Sequence, residues 1–256
     1  MTKLADAIQR SQRTDAAPMG FGAGRAAPKP SLLVGLIAAD AAAIAATPAA
    51  VILLDGRGRS PSKDELVAAR TAAGEKPLGL WSAVAGAGPA KELRAAGIDF
   101  LLFDPETTPA AALLEEELGY VISLPPAPEE LYLRSLESLN LEGLYVDAAP
   151  TAPTVAQQIE LNRIGLLGRK PLLVRVAADA SRDDLQSLRG AGAGVILTEG
   201  APERIAALQE TVLALPPRRT RREERAIVSL PRGQAAQPEA DDDDDDDQDG
   251  ARRDVP

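Results

Sequence analysis

Two residue types that carry much of enzyme chemistry are missing from this 256-residue chain, which has no cysteine and no histidine. Without cysteine, disulfides, thiolate metal sites and a cysteine nucleophile are excluded. Without histidine, the commonest general base and the commonest metal ligand near neutral pH are gone. Aromatic residues supply only 3% of the chain, so alanine carries much of the apolar content and closely packed helices are expected. No apolar run approaches the length of a membrane span. The opening MTKLADAIQRSQR is polar and amphipathic, without the apolar stretch that export would need. A soluble cytoplasmic protein is therefore expected. The formal charge is −10, and the seven aspartates at Asp241–Asp247 dominate it, so the imbalance belongs to the tail and not to the fold.

What is present is a recurring apolar run that stops on an acid: VILLD at Val51–Asp55, FLLFD at Phe100–Asp104, GLYVD at Gly143–Asp147 and VILTE at Val195–Glu199. SLLVGLIA, PLGLWSA, GYVISL and PLLVRVA add four more apolar runs, and a helix-like segment follows each of the eight. The reading predicts strands at Leu32–Ala38, Ala50–Leu54, Leu78–Ser82, Phe100–Phe103, Tyr120–Leu124, Leu144–Val146, Leu172–Val176 and Val195–Thr198. Helices are expected at Asp40–Ala46, after a Ser60–Ser62 cap with Asp64 and Glu65 in the first turn, and at Pro89–Ala96, Pro109–Leu118, Glu129–Leu139, Thr154–Leu167, Ser181–Arg189 and Pro202–Leu215.

Short, continuously apolar strands alternating with helices belong to a parallel sheet covered on its faces. Eight units in a row predict a compact (β/α)8 TIM barrel, closed by pairing the last strand with the first. The competing open, doubly wound sheet would need a glycine-rich turn after the first strand, where LIAADAAAI has none. An internal repeat supports closure: Lys76-Pro77-Leu78 parallels Lys170-Pro171-Leu172, Leu93-Arg94 parallels Leu188-Arg189, Gly97 parallels Gly192, and Asp104 parallels Glu199.

Outside the barrel, expected to span Ser31–Leu215, the N-terminal residues 1–30 read as a short helix through Leu4, Ala7 and Ile8, then an irregular Gly/Pro-rich arm. Gly20, Gly22 and Gly24 only superficially resemble a phosphate loop, because no strand precedes them. From Pro216 to Pro256 the chain becomes a charged, low-complexity tail, expected to be largely disordered. Glu223 and Glu224 interrupt its basic block RRTRREER, and no aromatics accompany it, which argues against nucleic-acid binding.

The segment KPLLVRV…LQSLRGAGAGVILTEG (Lys170–Gly200) resembles the last two βα units of the aldolase-type, phosphate-binding TIM barrels, among them relatives of indole-glycerol-phosphate synthase and thiamin-phosphate synthase. The resemblance implies a phosphorylated ligand held by glycine amides of the loop after strand 7 and by a short helix after strand 8. This chain departs from that pattern. AADASRDD after strand 7 has no glycine, Glu199 would repel phosphate, and no strand ends on the family's usual lysine. Gly200 and the helix start at Pro202 remain as the phosphate contacts.

In such a barrel, active sites lie at the carboxyl ends of the strands, and alternate strands feed one layer of the interior. Asp55, Asp104, Asp147 and Glu199 end strands 2, 4, 6 and 8. With period two they share faces with Leu53, Leu102, Tyr145 and Leu197. If those faces point inward, four carboxylates ring the mouth. Crowded carboxylates either raise a pKa or recruit a cation, and oxygen-only ligation suits Mg²⁺ or Ca²⁺, with Asp104 and Asp147 as candidate ligands. Arg175, odd inside an apolar strand, and Arg57 are the counter-charges, and Ser82 and Ser123 could add hydroxyls. The same acids also fit ordinary turn and helix-cap chemistry. Trp81 reads either as core packing or as a stacking platform.

Two functions follow. One is a small-metabolite enzyme, of lyase or isomerase type, using strand-end carboxylates on an anionic or phosphorylated metabolite with a possible divalent cation. The other is a non-catalytic barrel serving as a binding or scaffold module, with the charged tail recruiting a partner. The expected barrel is shorter than the ~250 residues typical of the fold, which leaves little loop material for a lid.

Overall fold

The structure is a computed structural model that describes residues 2–12, 31–82, 86–147 and 153–216. The expected Gly/Pro-rich arm and charged tail fall on 13–30 and 217–256, outside the described residues.

Eight parallel strands close into a barrel in sequence order. They are β1 (Leu33–Ala38), β2 (Val51–Asp55), β3 (Leu78–Trp81), β4 (Phe100–Phe103), β5 (Gly119–Ser123), β6 (Gly143–Val146), β7 (Leu172–Arg175) and β8 (Ala193–Thr198). Closure is made by β8 lying beside β1, with Leu33 opposite Val195 and Leu36 opposite Thr198. The open-sheet alternative is thereby removed.

Each strand sorts its side chains into two apolar clusters, as period two requires. Val34, Leu36, Ile52, Leu54, Leu101, Tyr120, Leu144 and Val174 face outward into the layer beneath the helices. Leu33, Ile37, Val51, Leu53, Trp81, Phe100, Leu102, Val121, Tyr145, Leu173, Val195 and Leu197 fill the interior. Small residues make room for large ones inside it. A Cβ added at Gly79 would lie 2.3 Å from the Phe100 ring, and one at Gly143 would lie 2.4 Å from Leu173 Cδ1. The barrel is a packed core and not a pore.

The outer ring consists of α2 (Ala41–Ala46), α3 (Lys63–Ala73), α4 (Ala87–Ala95), α5 (Glu130–Ser135), α6 (Val155–Gly168), α7 (Arg182–Gly190) and α8 (Pro202–Leu213). Ser62, Thr154 and Ser181 start α3, α6 and α7 with reciprocal capping boxes to Glu65, Gln157 and Asp184, which satisfy otherwise orphaned N–H groups. The Asp40 side chain caps α2. The helix expected at Pro109–Leu118 is instead a 3₁₀ segment, Ala110–Leu114. Glu115, Glu116 and Glu117 would have put three negative charges at the C-terminus of a longer helix, where the dipole disfavours them. The helix expected at Glu129–Leu139 ends at Ser135 and tightens into 3₁₀ over Leu136–Ser138.

The amino-terminal helix α1 (Lys3–Gln12) belongs to the barrel itself. Its Leu4 and Ile8 are buried and join the interior cluster. Ile8 and Gln12 approach Gly194 in β8. The Thr2 hydroxyl donates to Glu142, just ahead of β6, and Lys3 pairs with Glu75, ahead of β3. The amphipathic spacing of Leu4 and Ile8 thus places a plug over the N-terminal end of the strands. No helix among the described residues is long and apolar enough to cross a membrane.

Candidate active site at the carboxyl end of the barrel

The turn after β2 builds the first part of the site. Gly56 donates its N–H to the Trp81 carbonyl at 2.9 Å. A Cβ there would stand 3.0 Å from both that oxygen and Leu80 Cδ1, so glycine lets the turn lie flat on the end of β3. Asp55 Oδ1 accepts from the Arg57 backbone N–H at 3.0 Å. The Arg57 guanidinium then folds back on the same carboxylate in a fork, Nε to Oδ1 at 3.0 Å and Nη2 to Oδ2 at 2.7 Å. That fork holds the Asp55 carboxyl below its usual range, because a bidentate cation favours the charged form.

In this position Arg57 lies over the Trp81 indole, its Cζ 3.9 Å from the ring centroid. Trp81 in turn meets the edge of Tyr145, with centroids 4.8 Å apart and planes inclined at 66°. Trp81 is therefore both core and platform: it is 9% exposed and carries a cation on its outer face.

A second arginine completes the rim. Arg175 ends β7 and follows Leu173 in the inward register. Its Nη2 lies 3.1 Å from Glu199 Oε1, and its Nη1 lies 3.4 Å from Asp147 Oδ2. The same Glu199 Oε1 lies 3.9 Å from Arg57 Nη2. The side chains form one chain of alternating charge, Asp55–Arg57–Glu199–Arg175–Asp147, with Glu199 shared between the two guanidinium groups. All five are partly solvated; the side-chain exposure of Glu199 is 49% and that of Arg175 is 34%. Three carboxylates face two cations, so the rim keeps an excess of negative charge.

Beneath this chain lies Tyr145, on the same face of β6 as Asp147. It is 1% exposed, and among the described residues its hydroxyl has no hydrogen-bond partner. Burial, and after it the negative charge of Asp147, push the phenol above its usual range, so it stays protonated at neutral pH. Tyr145 was read in the sequence only as a marker of strand register. An aromatic at i−2 from a strand-end acid was the one available signal.

Asp55, Asp147, Glu199 and Arg175 are brought together, and Arg57 joins them. Asp104 is not part of the chain. It sits in its own turn, accepting from the Glu106 N–H at 2.9 Å through Oδ1 and from the Thr108 N–H at 3.1 Å through its carbonyl. There it borders a small cleft of about 240 Å³ with Ser123 and Tyr132. Among the described residues, no group of three or more carboxylates gathers at metal-binding spacing. Ser82 lies on the outer side of the barrel wall, facing Pro61, Leu66 and Pro89 across a cleft. Gly200 sits where the loops after β7 and β8 touch, since a Cβ on it would approach Ala178 Cβ to 3.2 Å.

No family model and no curated protein matches this sequence. Solved structures do match in shape. The 3-keto-L-gulonate-6-phosphate decarboxylase of Vibrio cholerae aligns with a TM-score of 0.58 at 14% identity, covering 72% of this chain and 99% of that one. Orotidine 5'-phosphate decarboxylase from Pyrococcus horikoshii aligns at 0.55 and 11% identity, covering 72% and 100%. Thiamine phosphate pyrophosphorylase from Pyrococcus furiosus aligns at 0.54 and 14%, covering 73% and 98%. At such identities the likeness is one of fold, the closed (β/α)8 barrel.

Proposed function

We propose that the C-terminal mouth receives a small anionic metabolite, phosphorylated or carboxylated, and that the barrel acts on it as an enzyme of lyase or isomerase type. One observation carries this reading: Glu199 holds two arginines with a single carboxylate oxygen at the end of the barrel where this fold does its chemistry. A carboxylate placed between two half-solvated guanidinium groups stands where a ligand anion would bind. Ion pairs this exposed contribute little to stability, so an incoming phosphate or carboxylate can take over Arg57 and Arg175 at small cost. Gly200, with its open backbone beside Pro202 at the start of α8, supplies a further contact. The names of the fold neighbours support the ligand class, since two are decarboxylases of 6-phosphate and 5'-phosphate compounds.

With the anion seated, Glu199 is released and Asp147 is left beside the substrate. Either carboxylate can accept a proton from a carbon next to a carbonyl. The electron pair of that C–H bond forms the enolate C=C bond, the carbonyl π pair moves onto its oxygen, and Arg175 neutralises the charge that develops there.

A second reading, binding without chemistry, has its own observation. The Asp55–Arg57 fork is bidentate, and Asp55 is held ionised, as suits a fixed recognition element better than a base.

A thermal-shift screen of phosphorylated sugars and carboxylates, with and without Mg²⁺, tests the proposal, because a ligand that prefers the native state raises the midpoint. Hits should shift the wild-type protein and lose their effect in the Arg57→Gln/Arg175→Gln double variant. Exchange of substrate carbon-bound hydrogen in D₂O should follow binding. Binding without exchange selects the second reading. Shifts that survive intact in the double variant place the ligand elsewhere and overturn both.

A further inference from the structure

Tyr145 lies at the mouth with a buried polar atom that has no hydrogen-bond partner among the described residues. Its side chain is 1% exposed, and the hydroxyl is orphaned. A buried hydroxyl normally finds a partner, and one without any calls for an explanation. A structural explanation fits poorly. Phenylalanine would give the same edge contact to Trp81 with no polar atom to desolvate, and the interior around it is otherwise apolar. The two other tyrosines in the chain make the comparison. Tyr120, also fully buried, donates to the carbonyls of Ala112 and Glu115 and so closes the 3₁₀ segment after β4. The hydroxyl of Tyr132 likewise has no partner among the described residues, but it lines the small cleft at Asp104, to which neither Arg57 nor Arg175 contributes.

The position of Tyr145 says what its hydroxyl would meet. Period two along β6 puts it directly below Asp147, on the inward face. Trp81 flanks it, with Arg57 above that ring. Arg175 and Glu199 complete the surroundings, and all four charged groups act on the phenol electrostatically. The mouth thus sets a neutral O–H donor at its floor and two guanidinium groups at its rim. Such an array is complementary to an oxygen that gains negative charge.

We propose that Tyr145 is a ligand-binding residue of this site, donating its O–H to an oxyanion or enolate-like oxygen of the bound metabolite after Arg57 and Arg175 have turned from their carboxylates to the ligand. This rests on the reading of the mouth as a metabolite site and adds a substrate class: compounds with two anionic groups, one held by the arginines at the rim and one reaching the floor. No proton leaves the phenol in this role. It stays neutral and stabilises the charge by hydrogen bonding.

The test compares two probes, inorganic phosphate and 2-phosphoglycolate, whose carboxylate imitates an enediolate. Wild-type protein and Tyr145→Phe are titrated with each, and affinities are read by calorimetry. The expected result is that Tyr145→Phe binds phosphate as wild type does but loses roughly tenfold in 2-phosphoglycolate affinity. The unliganded variant should melt no lower than wild type, since no bond is lost. Equal 2-phosphoglycolate affinity in the two proteins overturns this inference and leaves the metabolite site standing. Failure of both probes to bind wild-type protein, or equal binding by Arg57→Gln/Arg175→Gln, overturns the site and the inference together. A large fall in the melting point of unliganded Tyr145→Phe means the hydroxyl is already satisfied in the resting protein, and that also overturns it. As a second measurement, independent of any variant, the ¹³Cζ resonance of Tyr145 should move with 2-phosphoglycolate and stay put with phosphate; a resonance indifferent to both sinks the proposal.

Discussion

At the N-terminal end of the barrel, Arg70 on α3 donates to the carbonyls of Gly74, Lys76 and Gly97 as well as to Asp99. Asp99 in turn accepts from the Leu78 N–H at 3.0 Å and is 5% exposed. At the opposite end, the side chains of Arg57 and Arg175 bond, among the described residues, to carboxylates alone, and those carboxylates are open to water. The residue types are the same, and the consequences are opposite. Charges bound to backbone carbonyls are committed to holding two αβ loops in place, and no ligand can replace those acceptors without unpicking the loops. Charges bound only to one another, half in solvent, can exchange partners. The bottom of the barrel is built to stay closed and the top to be re-paired.

The strongest test of that contrast is Asp99→Ala. It leaves Arg70 largely buried without its counter-ion, a change that costs about 3 to 4 kcal/mol when a buried pair loses one member. Urea denaturation should register the full loss, while any ligand response at the mouth persists. Leu4→Ala comes next. It opens a hole under the interior cluster, and the expected loss is about 2 to 3 kcal/mol, toward the lower end because a terminal helix can settle into the gap.

A smaller effect, of opposite sign, is expected at Glu142. Burial raises its pKa, partly offset by the hydrogen bond from Thr2. A carboxyl whose folded pKa is raised binds its proton more tightly in the native state, so its ionisation destabilises the fold at higher pH. The penalty is complete above the raised folded value and gone below the ordinary value of 4.5. Glu142→Gln should therefore be more stable than wild type at neutral pH, and the two denaturation midpoints should converge as the pH drops below that value. A constant difference across the range would mean that burial of Glu142 is not the cause.

The smallest effect is reserved for the mouth. Arg175→Gln should change stability by less than about 1 kcal/mol, because its pairs are exposed, and raising the salt should leave even less of it. If it costs as much as Asp99→Ala, the two ends are alike and the contrast fails.

How much of this could be read from the sequence depended on the kind of physics involved. Closure was legible because eight apolar runs with intervening helices leave few other ways to bury both faces of every strand. That Asp55, Asp147 and Glu199 share faces with Leu53, Tyr145 and Leu197 was legible because a strand's period is fixed at two. Which way those faces turn was not, since period two is the same for either face. Arg175 stood out because a guanidinium inside LLVRV needs a counter-charge. Asp104 was misgrouped with the other acids because local turn bonding to Glu106 competes with the pull of the barrel axis, and a pattern of runs does not weigh the two. The spacing of Leu4 and Ile8 announced a helix but not its seat, since contacts with strands nearly two hundred residues away leave no local trace. Tyr145 was passed over for a different reason: what marks it is a missing partner, and only the surroundings reveal that.

The chain has a single tryptophan, and it is the one beneath Arg57. Its indole emission reports on one place in the molecule, the contact that an arriving anion would disturb. Occupancy of the mouth can thus be followed by intrinsic fluorescence, without a label and without knowing the ligand beforehand.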